Sequence, residues 1–472
     1  MKILSGLFSG QVLQRNARQV ACARITGSCN TTTRAMVEVS VLHAGTVLPG
    51  ARGGGEAVNG AWQAWIEDLP VGGPYEVRFR LPDEPELRVT DVRVGDVWFL
   101  GGQSNMHGAG DVADALPPHP EVQAFYNEDE WRIAEEPLTL FWGAVDPVHT
   151  DGNPPMHDPV EIRAARRNTR VGVGPGLAFG RDMFAATGVP QGLVCCAHGG
   201  TSMDQWSPAL REKGGWSLYG ALLRRFKKLG QPVAGVLWWQ GCSDAGEPEP
   251  YTRKMQELVA AVRQDFAQPD LPWLMVQIGR IFPNDGSNRN PGWLSIQDQQ
   301  RRLPESIHRL SVVPAVDLEM EDSVHISANG QKLAAKRLAR IARFQLGEAG
   351  VRDAIRLADI QALPPAAPGA HSTIIEGRFE NVAGELGAVG APTGFRLVSP
   401  EGESRHCIHT VRCEGATVRL YFKHLAQPLQ GWRLAYGFEC DATCNITDSE
   451  GMALPVFAPQ PIRIPNPNEA LQ

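Results

Sequence analysis

The spacing of apolar positions changes twice along the chain. In residues 1–90, Tyr75, Val77, Phe79 and Leu81 alternate with Glu76, Arg78 and Arg80, and Val37, Val39 and Val41 repeat the pattern. A period of two predicts strands with one buried face. From residue 91 the pattern becomes apolar runs at 92–100, 191–197, 233–239, 273–279 and 311–317, which predict buried strands. Between them, Leu218, Leu222, Leu223, Phe226 and Leu229 follow helical spacing, as do Met255, Leu258, Val259, Val262 and Phe266. Alternating strands and helices predict an α/β sheet, mainly parallel and covered on both faces. Two-residue alternation returns after 350, at Val418, Leu420 and Phe422 and at Trp432, Leu434, Tyr436 and Phe438. The expected division is therefore a β domain over 1–90, an α/β domain over 91–350 and a second β domain over 351–472. The Pro-rich stretch 362–369 reads as a linker, and 143–176 and 283–293 read as long polar loops.

Length and composition sharpen this picture. The 472 residues exceed what one core organises, and length alone suggests roughly three domains. Apolar residues make up 43% and charged residues 21%, and the net charge of −7 comes with no long basic run. Neither nucleic acid nor an anionic membrane is an expected partner. The first residues hold too short an apolar run for a signal peptide, so the chain as written reads as cytoplasmic. Removal of a leader would make it periplasmic or secreted. Nine cysteines include no Cys-x-x-Cys pair and no His-bearing zinc pattern; no metal and no cofactor are among the expectations. Cys195 and Cys196 read as small core residues. Cys22/Cys29 and the C-terminal four are candidates for disulfides if the protein is exported.

Chemistry concentrates at strand ends. The run Val94 to Leu100 leads into Gly101-Gly102-Gln103-Ser104-Asn105, which presents a serine at a sharp turn. Downstream, Asp322-Ser-Val-His325 sets an acid and an imidazole three residues apart. A serine hydroxyl needs a base to take its proton and an acid to orient that base. Each residue also has an ordinary reading. Ser104 suits a helix N-cap, His325 a satisfied histidine, and Asp322 a cap for the helix near Ser327. Asp317, Glu319 and Glu321 compete for the acid role, but the spacing of Asp322 lets its carboxylate turn back to the imidazole. Together the three point to catalysis at one edge of the sheet, where α/β folds bind ligands. Oxyanion donors are expected from the Ser104 amide, from Gly200 in Gly199-Gly200-Thr201, and from the Gln240 side chain.

Four blocks carry a resemblance: Gly-Gln-Ser-Asn-Met at 102–106, Gly-Gly-Thr-x-x-x-x-Trp at 199–206, Trp-x-Gln-Gly-x-Ser-Asp at 238–244, and Asp-x-x-His at 322–325. The chain resembles the sialate O-acetylesterase group of SGNH-type carbohydrate esterases. Val12 to Arg15, Leu218 to Ala221 and Asn445 to Phe457 extend the likeness over nearly the whole chain. It implies a flavodoxin-like (SGNH) three-layer hydrolase domain between N- and C-terminal all-β, sandwich-like domains, and metal-free removal of acetyl groups from sugar hydroxyls. By the same resemblance Ser104 is nucleophile, His325 general base and then acid, and Asp322 its orienting partner. Gly200 and Gln240 complete the oxyanion hole, with Gln103 and Asn105 bracing the turn. Departures from the pattern are Trp239 where the family has Tyr, Cys242 where it has Glu, Ile326 where it has Pro, His198 where an aromatic is common, and His107 directly after the nucleophile block. Asp244 is the candidate to replace the missing carboxylate.

The expected partner is an acetylated carbohydrate. A sialate would need a cation such as Arg166, Arg167, Arg280 or Arg289 for its carboxylate. A neutral sugar of a plant or microbial glycan, toward which the departures tilt the reading, would stack on Trp206, Trp216, Trp239 or Trp293. His107 and His198 complete the substrate-side candidates. The alternatives are an esterase for a non-sugar acyl group and an inactive, glycan-binding relative.

Overall fold

The strand Leu87–Gly102 organises the first half of the chain. Its first part pairs antiparallel with Gly72–Arg80, in the register Phe79 opposite Leu87. Its second part is parallel to Gln191–Cys195, with Asp96 opposite Gln191, and to Gly235–Trp239, with Trp98 opposite Gly235. One strand thus leaves an antiparallel β region and becomes the centre of a parallel sheet; residue 90 lies inside it. The change of neighbours follows the change of pattern. The alternating part has one solvated face, whereas Val92 to Gly102 is buried on both faces.

This computed structural model describes residues 1–154, 156, 158–284, 286–287, 290–363, 372–405, 407–423 and 429–465. The chain divides into two compact units: Met1–Gln240 with Lys254–Trp273, and Gly241–Arg253 with Leu274–Gln472. In the first unit, strands Val20–Ser28, Ala35–His43, Arg52–Val58, Ala61–Pro70 and Gly72–Arg80 pair antiparallel. Ile25, Trp62, Ile66, Val77 and Phe79 fill the core beneath them. The parallel part adds Val122–Phe125, paired with Gln191–Cys195. Helix Leu218–Leu229 forms where the apolar spacing predicts it. Ser217 caps its start by accepting from the Gly220 N–H, and Gly230, at φ 60°, ends it in the left-handed conformation.

In the second unit, helices Pro291–Arg302 and Ala328–Gln345 accompany strand Leu310–Val313. The paired strands of its C-terminal part run antiparallel. Arg356–Leu363, Ser372–Glu380, Thr417–Lys423 and Ile408–Glu414 form one sheet. Phe395–Val398, Arg433–Tyr436 and Phe457–Pro461 form another with Ser404–Arg405. Val418, Leu420 and Phe422 are fully buried, as their alternation predicts.

The structure corrects several expectations. Residues 143–176 are not one loop: they hold helix Pro159–Asn168 and strand Val171–Val173. Asp158 caps that helix by accepting from the Val160 N–H, and Pro159 opens it. The second expected loop ends earlier than 293, because Pro291 already starts a helix capped by Asn290. No disulfide forms among the nine cysteines. Residues 364–369 of the expected linker, and Arg289, lie outside the described residues. No helix among the described residues is long and apolar enough to cross a membrane.

Candidate active site

The first unit builds the serine corner from backbone constraints. Gly102 has φ 126°, and a Cβ there would lie 2.2 Å from the Trp239 carbonyl oxygen. A Cβ on Gly101 would meet the Trp238 ring at 2.9 Å. Only glycines let the strand end pass so close to Gly235–Trp239. The Gln103 N–H then donates to the Trp239 carbonyl (2.8 Å), and the chain turns into the single helical turn Ser104–His107. Gln103, not Ser104, is the N-cap. The ordinary reading of Ser104 as a cap is thereby overturned. Gln103 and Asn105 are buried at 4% and 3% exposure, whereas Ser104 is half-buried.

The loop after Gln191–Cys195 lies against this corner. The His198 N–H donates to the Gly102 carbonyl (3.0 Å). A Cβ on Gly199 would lie 3.7 Å from Ser104 Cβ. Gly200, at φ 71°, is exposed with open space around it. Gln240 is fully buried, and one N–H of its Nε2 donates to the Thr201 carbonyl (3.0 Å), which braces the Gly199–Thr201 loop. Thr201 is held further by donating to the His198 carbonyl (2.8 Å) and accepting from Trp206 Nε1 (3.0 Å).

Trp206 and Trp239 are fully buried. Trp206 packs edge-on against Trp238. With no face open, neither stacks on a sugar, which corrects that expectation. Trp293 is likewise core, 2% exposed and donating to the Gly279 carbonyl (2.9 Å). Of the four tryptophans, only Trp216 has an open ring, at 64% exposure.

Histidines crowd the same loop. His198 Nδ1 lies 3.0 Å from Nδ1 of His149, and both rings stack on Phe141, with His107 tilted against it at 4.6 Å. Burial holds His149 well below the usual imidazole range. It brings His107 down to about 4 and also lowers His198. All three are neutral near pH 7. Sequence reasoning missed Phe141 and His149, since both stand in connecting segments whose residues follow neither the strand nor the helix period.

In the second unit, His325 Nδ1 and Asp322 Oδ2 are 2.7 Å apart. The other carboxylate oxygen, Oδ1, accepts from the Val324 and His325 N–H groups, both at 2.8 Å. Burial pushes the Asp322 carboxyl up, but these three hydrogen bonds outweigh it and hold the group below the usual carboxylate range. Two of the three competing acids are occupied elsewhere. Asp317 is paired with Arg337 (2.5 Å), and Glu319 accepts from the Ser327 hydroxyl (2.7 Å). Ser327, not Asp322, caps helix Ala328–Gln345. Ile326 is a core residue at 1% exposure. Asp244 is buried at the end of the short turn Cys242–Asp244. Burial pushes the Cys242 thiol up to about 12, so it is neutral and supplies no charge in place of a carboxylate. Arg280 donates to the Leu318 carbonyl (3.1 Å) and lies over Phe282. Arg166 likewise donates to the Glu135 carbonyl (3.0 Å). Among the described residues no group of three or more His, Cys, Asp or Glu is placed to hold a metal ion.

Residues 94–343, more than half of the chain, match the family model described as carbohydrate esterase, sialic acid-specific acetylesterase (SASA). The chain belongs to this family. As a carbohydrate esterase it is a carboxylic ester hydrolase. Among curated relatives, the probable carbohydrate esterase At4g34215 of Arabidopsis thaliana is 30% identical over 216 residues, 42% of this chain and 73% of that protein. Human sialate O-acetylesterase is 27% identical over 165 residues, 32% of this chain but only 29% of the human protein. XAC1771, a carbohydrate acetylesterase from Xanthomonas citri, superposes with a TM-score of 0.70 over 97% of this chain and 98% of its own, at 21% identity, and shares the fold.

Proposed function

We propose that this esterase removes O-acetyl groups from carbohydrates by a metal-free acyl-enzyme mechanism, with a flavodoxin-like hydrolase domain over 91–350 between two β domains. The Ser104 hydroxyl attacks the acetyl carbonyl as His325 takes its proton, and Asp322 holds the imidazole in the required tautomer. The Ser104 and Gly200 amides receive the charge that develops on the carbonyl oxygen. The sugar oxygen leaves with the proton from His325, and water then attacks the acetyl–serine ester with His325 again as base. The observation that carries this reading is the 2.7 Å His325–Asp322 pair, oriented by two backbone amides, in a chain whose serine corner matches a carbohydrate esterase family.

The test is acetate release from 9-O-acetyl sialic acid, acetylated xylan, xyloglucan and pectin. Release from one class is expected, reduced about 10³-fold or more in Ser104→Ala. Release that persists in Ser104→Ala would overturn the mechanism. EDTA is expected to leave the rate unchanged, and inhibition restored by a divalent cation would sink the metal-free reading.

A further inference from the structure

A cavity of about 220 Å³ opens beside the Gly199–Thr201 loop, within the first unit. Its wall includes Val148, Asp151, His198, Thr201, Lys213 and Trp216. Drug-sized ligands occupy about 300–1,000 Å³, so this space suits a single ring. We propose that it is a glycan subsite, in which a neutral pyranose next to the acetylated sugar stacks on Trp216.

Two features carry the assignment. The first is that Trp216 is held open by a built turn. Gly214, at φ 54°, breaks the short helix Pro208–Trp216, and a Cβ on Gly215 would lie 2.6 Å from Asp146 Oδ1. Asp146 in turn pairs with Arg224 (2.6 Å). On the other side the Ser217 hydroxyl donates to the Leu210 carbonyl (2.8 Å) while capping the next helix. A lone exposed tryptophan on a soft loop would mean little; this one stands on a fixed turn at the rim of a cavity.

The second feature is the polar lining. Asp151 accepts hydrogen bonds from hydroxyls and Lys213 donates to them, and sugar hydroxyls do both. Neither enters an ion pair with a protein group among the described residues. His198 keeps its Nδ1 on His149, which fixes the ring at the cavity wall. One carboxylate and one ammonium cancel, and an acidic sugar would bring its own charge to Asp151. The apolar C–H face of a neutral ring suits the indole face. His198 and Thr201 belong both to this wall and to the loop against Ser104, which sets the subsite next to the acyl position.

The position of the acetylated sugar rests on Ser104 as nucleophile, whereas sugar binding in the cavity does not. Calorimetric titration of xylohexaose and cellohexaose into the Ser104→Ala protein therefore tests the subsite apart from catalysis. At least one is expected to bind, and adding Trp216→Ala to weaken it tenfold or more, with Trp216→Tyr recovering most of the loss. With active enzyme, Trp216→Ala should lower kcat/KM for acetylated xylo-oligosaccharides at least tenfold relative to that for p-nitrophenyl acetate. Asp151→Asn should weaken hexaose binding as well. Failure of both hexaoses to bind, binding indifferent to Trp216→Ala, or tighter binding of 3′-sialyllactose than of either hexaose would each overturn the proposal. Trp216-dependent binding by a wild-type enzyme that releases no acetate would sink the esterase mechanism and leave the subsite standing.

Discussion

At the scale of single residues, Asp322 shows how three hydrogen bonds assign a role. Its Oδ1 serves two backbone amides and its Oδ2 serves the imidazole, so the carboxylate sets both the loop and the tautomer of His325. An asparagine here would still accept from the amides through its oxygen. Its NH₂ would face Nδ1, forcing the proton onto the nitrogen that, in the proposed mechanism, must receive one from serine. Asp322→Asn is therefore expected to fold, with its thermal transition lowered only slightly, while losing about 10²–10⁴-fold in kcat. Steady-state rates beside a melting curve check this, and a loss under threefold would remove Asp322 from the mechanism. The hydrogen bonds hold its carboxyl below the ordinary range, so the stability they add is present above that range and lost as pH falls through the lowered value.

At the scale of elements, the serine corner depends on how closely two parallel strands approach. The carbonyl of Trp239 receives the Gln103 N–H and also occupies the space a side chain at 102 would need. Gly102→Ala meets both a positive φ and a 2.2 Å clash with backbone, neither of which a rotamer change relieves. It is expected to lower the thermal transition by about 5–10 °C and to reduce activity with it. Differential scanning calorimetry tests this, and wild-type melting would mean that the corner relaxes freely. The Gln240 brace belongs to the same logic: a buried amide spans from the end of one strand to the loop after another.

At the scale of the whole molecule, Glu136 is a charge problem solved by a proton. Burial pushes its carboxyl up to about 8; one oxygen accepts from the Leu138 N–H (2.9 Å), and the other, buried, has no partner. A carboxyl whose folded value is raised favours the fold at pH below the ordinary 4.5, and that contribution is lost as pH rises through about 8. Glu136→Gln is neutral at every pH. Its thermal transition is expected to match wild type near pH 5 and to exceed it by several degrees at about pH 9. Parallel melting profiles decide, and a constant offset across the range would refute the linkage.

The chain's own patterning determined a good deal. Two-residue alternation located the antiparallel strands, unbroken apolar runs the buried ones, and 3.6-residue spacing the helices over 218–229 and 251–265, because burial acts on neighbours close in sequence. The Asp322–His325 pair was legible for the same reason: three residues of chain fix the distance. Other features came only from tertiary structure. The burial of Trp206, Trp239 and Gln240, the stacking of His149 and His198 on Phe141, and the open face of Trp216 depend on segments tens of residues apart. A residue type states what a side chain can do; which face it leaves open is decided by packing, and packing is not local in the chain.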